Sequence, residues 1–92
     1  MVTLHDMHLK VLLMKVEVCR FDLLHQDILI RQLVLAQVEL TDHEEQKYLH
    51  LMLEEAASYK RVVRDTLNLI ESQLKNSPKG AALLEELKKR TE

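Results

Sequence analysis

LHDMHLKVLLMKVEVCRFDLLHQDILIRQLVLAQVEL, residues 4–40, is the stretch whose reading decides the fold. It contains no Gly or Pro, and none follows until Pro78. A heptad that starts at Leu4 puts Leu4, Met7, Val11, Met14, Val18, Phe21, His25, Ile28, Gln32 and Leu35 in one seam. That spacing packs helix on helix. A second series reads Leu9, Leu12, Val16, Cys19, Leu23, Gln26, Ile30, Leu33, Gln37 and Leu40. At 100° per residue its centre lies roughly 150° around the helix from the first. A helix that is apolar on opposed sides is sandwiched between neighbours. Half of a simple hairpin needs only one such side, so the expectation is a bundle completed by dimerisation or by a partner protein.

A local alternative competes. Lys15 to Phe21 alternates in part and holds β-branched residues, as a strand does. No Gly, Pro, Asn or Ser brackets it, and both series run straight through it, so the helix is preferred.

Going outward, Thr3 and Asp6 form a capping pair before this helix. After it, Thr41–Glu44 reads as a capping box and Asp42–Glu45 as a second register, with acidic residues where the helix dipole favours them. The expected elements are a helix over 4–40, a helix over 42–75 and a short helix over 78–89, within one domain, 1–92. Two long helices of similar length with a short connection predict an antiparallel hairpin. The second helix has one cleaner face through Leu49, Met52, Leu53, Ala56, Tyr59, Val63, Leu67, Ile70 and Leu74. Ser77 and Pro78 open the last helix as N-cap and first helical residue. That helix carries Leu83, Leu84 and Leu87 on one side. It has two placements: folded over the open end of the hairpin, covering part of the second series, or docked on another chain. The fold class is therefore all-α, a long antiparallel helical hairpin plus a short C-terminal helix.

Composition narrows the function classes. A 47% hydrophobic, 30% charged chain with one Gly and one Pro is an ordered helical domain. A net charge of -2 supplies no strong field for nucleic acid or membrane. No strictly apolar run exceeds the four residues of Val11–Met14, too short for a membrane span. A lone cysteine, Cys19, favours a reducing, cytoplasmic setting and reads as a buried small hydrophobe.

No catalytic motif is present, and no enzyme, cofactor, metal or small-molecule substrate is expected. His5 and His8 share a helical face but lack further ligands for zinc. Asp22 and His25 match half of a di-iron bundle motif, and His50 with Glu54 does not repeat it. Lys60, Arg61 and Arg64 form one compact basic group without interleaved aromatics.

What remains is a protein–protein interaction module, a small adaptor or a co-chaperone or assembly factor. Its interaction face is expected at Leu9, Leu12, Val16, Cys19, Leu23, Ile30 and Leu33, extended by Leu83, Leu84 and Leu87. In size and layout, though not in any motif, the chain resembles the small helical-hairpin co-chaperones of bacterial secretion systems. The alternatives are a homodimeric four-helix bundle with a structural or regulatory role, and a weak nucleic-acid-associated regulator using the Lys60 group.

Overall fold

Helix α1 spans Leu4–Glu39, α2 spans His43–Lys75 and α3 spans Pro78–Thr91 in a computed structural model, which describes residues 2–91. No strand occurs among the described residues, Lys15 to Phe21 included. The start of α1 is fixed by the expected capping box. The Asp6 N–H donates to Thr3 Oγ1 at 3.1 Å, and the Thr3 N–H donates back to Asp6 Oδ2 at 3.3 Å. The helix stops at Glu39, one residue early, because Leu40 turns to extended backbone at φ -84°, ψ 122°. The N-cap of α2 is Asp42, whose carboxylate accepts from the Glu44 N–H at 3.1 Å. The Thr41 box is thus replaced by a cap one residue later. Gln46 Nε2 donates to the Leu40 carbonyl at 2.8 Å and ties the three-residue connection to the first turn of α2.

The two long helices run antiparallel. Arg20 on α1 meets Glu71 on α2 at 3.5 Å, and Asp27, one turn pair further along, meets Lys60. The result is a rod of 62 × 22 × 18 Å with a radius of gyration of 18.0 Å. A compact chain of this length would have a radius near 12 Å. The accessible surface, 7156 Å², exceeds that of a compact 10.8 kDa monomer by about 1,600 Å².

The third helix folds back on the hairpin at its terminal end, the first of its two expected placements. Ser77 Oγ accepts from the Gly80 N–H at 2.9 Å, the N-cap contact that starts α3. Gly80 is buried where α3 passes the end of α2. A Cβ there would collide with the Leu74 carbonyl oxygen and sit 3.2 Å from Leu9 Cδ2. Only a residue without a side chain allows this approach. Lys79 caps the arrangement by pairing with Asp6 at the start of α1. The core lies here: Leu9, Leu12 and Val16 of α1, Leu67, Ile70 and Leu74 of α2, and Leu84 and Leu87 of α3, with Leu13, Cys19, Leu23 and Leu83 packed against it. Fourteen residues make a helix too short to hold alone, so burial of Leu84 and Leu87 is what keeps α3 helical.

Candidate interaction surface

Placement of the two α1 series corrects the expected interaction face. Leu9, Leu12 and Val16 are buried inside the chain, as are Leu84 and Leu87; Cys19, Leu23, Ile30, Leu33 and Leu83 are half-buried. All of these but Ile30 and Leu33 belong to, or pack against, the core that joins the hairpin to α3. The seam left open is the other one. Leu4, Met7, Val11, Met14, Val18, Phe21, Ile28 and Leu35 are all between 47% and 85% exposed.

A physical reason selects this rotation of α1. Arg20 and Asp27 follow Leu13 at seven-residue steps along one border of the second series. With that series turned inward, Arg20 reaches Glu71 and Asp27 reaches Lys60. Turning the first series inward would carry both charged residues away from α2 and leave Glu71 and Lys60 without these partners.

The open seam runs from Leu4 to Leu35, about 45 Å at 1.5 Å per residue. At ~1.5 kcal/mol for each large apolar side chain, its eight members hold on the order of 10 kcal/mol of burial free energy, comparable to the stability of a small domain. Grooves between α1 and α2 border it on one flank. One, about 630 Å³, is lined by Val11, Met14, Val18, Leu69 and Ile70 among others. A second, of about 250 Å³, lies along Leu29, Leu33, Met52 and Tyr59. Beyond the end of the seam, a groove of about 480 Å³ sits at the turn between Gln37 and His43, Gln46, Lys47, His50 and Leu51. On the opposite flank α3 leaves only a small gap, about 100 Å³ beside Leu13 and Leu87. Exposed Tyr48, Leu51, Met52, Tyr59, Val62 and Leu69 put the apolar residues of α2 on the open flank too.

The other candidate groups do not converge. His25 stacks on Phe21 with ring centroids 6.2 Å apart, and Tyr59 Oη donates to Asp22 at 3.5 Å. His50 pairs with Glu54 on the surface of α2 at 3.1 Å. His5 and His8 are exposed. Among the described residues, no three of His, Cys, Asp or Glu gather into a metal-binding group. Burial pushes the Cys19 thiol above its ordinary value, and the nearby Asp22 charge adds to this, so the thiol is held protonated and poorly nucleophilic. Lys60 is committed to Asp27 between the helices, which separates it from the exposed Arg61 and Arg64.

The exposed seam was visible in the sequence as a series; its exposure was not. No helix among the described residues is long and apolar enough to cross a membrane. Compared with protein-family models, curated proteins and solved structures, the chain matches none.

Proposed function

We propose that this chain is a non-enzymatic protein–protein interaction module, a small adaptor or assembly factor of the cytoplasm, that docks other helices along the exposed seam of α1. One observation carries the reading: an apolar stripe, interrupted at His25 and Gln32, on the side of α1 turned away from the chain's own core. Contiguous apolar surface of this extent marks an interaction site. Met7 and Met14 lie within it, and their unbranched thioether side chains adapt to differently shaped partners. The mode is helix against helix, read through residues three and four apart. The lone, protonated Cys19 accords with a reducing compartment.

The test is the mass of the chain in an extract of its own cells, wild type beside Val18→Lys/Phe21→Lys. Both positions are exposed, so the double variant keeps its helix content. Wild type is expected in an assembly larger than 10.8 kDa, and the variant at the mass of the free chain. A wild-type chain that runs as a free monomer both purified and in the extract would overturn the proposal.

A further inference from the structure

The geometry points to a second copy of this chain as the occupant of the seam, packed antiparallel along α1 so that Lys15 of each copy faces Asp22 of the other. This rests on the interaction reading above and names its partner. Three observations support it.

The first is area. At roughly 100 Å² of exposed surface each, the eight seam residues offer ~800 Å² per copy, the share one partner contributes to a stable interface of standard size. The chain also carries about 1,600 Å² more surface than a compact monomer of its mass.

The second is register. The seam is centred between Val18 and Phe21, and a two-fold axis there sets Leu4 against Leu35, Val11 against Ile28 and Val18 against Phe21 of the second copy. The polar members, His25 and Gln32, then fall opposite Met14 and Met7. A parallel pairing would instead stack His25 on His25 and Gln32 on Gln32.

The third is charge. Lys15 and Asp22 are successive residues on one border of the seam, seven apart. In the antiparallel register each faces the other across the axis, giving two opposite-charge contacts per dimer. The far border brings Lys10 near Arg31, a like-charge contact made twice, and Glu17 beside Leu24. The parallel register is worse on both borders. It sets Lys10 against Lys15 and Glu17 against Asp22, each twice, with no opposite-charge contact among these residues. Border charges of this kind choose orientation in helix pairs. The seam residues themselves are exposed; α2 flanks them on the Lys15 and Asp22 border, where Tyr59 contacts Asp22, and α3 flanks them near Glu17 on the other. The two α1 helices become the centre of a four-long-helix assembly, which accounts for a first helix that is apolar on opposed sides.

The experiment is light scattering on the purified full chain over a concentration series at low ionic strength, with Lys15→Asp, Asp22→Lys and the combined reversal K15D/D22K. Wild type is expected at twice 10.8 kDa. Each single reversal replaces two attractive contacts by two repulsive ones and should weaken dimerisation by about tenfold. The combined reversal restores the opposite-charge pairing and should recover wild-type affinity. Circular dichroism confirms that each variant keeps its helices. A dimer that both single reversals leave intact, or that the combined reversal does not rescue, overturns the antiparallel pairing. A purified chain that is monomeric throughout overturns the second copy as occupant. In that case a large assembly in the cell extract, lost on Val18→Lys/Phe21→Lys, leaves the broader interaction reading standing, whereas a monomer in both settings removes it as well.

Discussion

The two ends of the hairpin are built from the same two helices and differ in how many layers cover them. At the terminal end, α3 adds a third layer, and Leu9, Leu12, Val16, Leu67, Ile70 and Leu74 are buried. At the turn end no third helix is present. There α2 buries Leu49 and Ala56, while Ile30, Leu33 and Ala36 of α1 and Leu40 in the connection remain half-buried, and no residue of α1 beyond Val16 is fully buried. The apolar series on α1 continues through both ends. Burial is therefore set by the number of neighbouring helices, and an apolar residue in the correct periodic position is only half removed from water when one neighbour is missing.

The largest effect expected from this contrast is in the core beneath α3. Leu84 is 1% exposed and Leu33 is half-buried. Leu84→Ala should cost ~3 kcal/mol, through lost transfer free energy and an unfilled cavity, whereas Leu33→Ala should cost about 1 kcal/mol because its site is already partly wet. Urea unfolding at one fixed protein concentration measures both. Equal losses would break the comparison and would mean that the turn end is as well covered as the terminal end.

Gly80 sharpens the same contrast, because it is the contact that lets α3 close. Gly80→Ala puts a methyl group against the Leu74 carbonyl, a backbone atom that cannot swing aside. The expected loss is about 2 kcal/mol, from overpacking or from α3 lifting away. Amide hydrogen exchange distinguishes its location: protection should fall around Leu9, Leu74 and Leu84 and stay unchanged around Leu49. A stability equal to wild type would show that α3 approaches less closely.

These contacts also mark how far the sequence could be read. The three helices, the short connection, the Thr3–Asp6 box and the Ser77–Pro78 start were legible because each depends on residues within a turn of one another. The side of α1 that faces inward was not. Both series have the same heptad spacing and similar apolar content, so periodicity gives two solutions. The choice rests on pairs such as Arg20–Glu71 and Asp27–Lys60 and on the approach of Gly80 to Leu74, all separated by the turns between helices. The expected interaction face differs from the exposed seam for this reason: the series chosen is the one that packs against α2 and α3. A signal was available. Arg20 and Asp27 border one series, and Glu71 and Lys60 border the α2 face at matching antiparallel positions, a pattern that pairs only when the second series faces α2. The Gln46 contact to the Leu40 carbonyl likewise needed the turn geometry before it could be seen.

The smallest effect belongs to Asp6, where a residue legible as half of a capping box serves a second purpose. Its carboxylate pairs with Lys79 at the start of α3, seventy-three residues away, as well as with Thr3. The hydrogen bond from Lys79 contributes most to holding its pKa at about 2, below the ordinary 3.8, followed by the backbone and side chain of Thr3. A depressed folded-state value means that the ionised form is favoured by folding. The contribution is fully present above the unfolded value, and it is lost as pH falls from there toward about 2. Both residues are at the surface, where solvent screens the pair, so the change is a small one, weaker still in high salt. Asp6→Asn should abolish it. Thermal unfolding of wild type and variant should differ at neutral pH and converge on acidification through this window. Lys79→Ala should reproduce part of the difference while keeping the Thr3 contacts, which separates the link between α1 and α3 from the cap that starts α1. A gap between wild type and Asp6→Asn that stayed constant down to pH 2 would show that the carboxylate's charge has no part in fastening α3 to the terminal end.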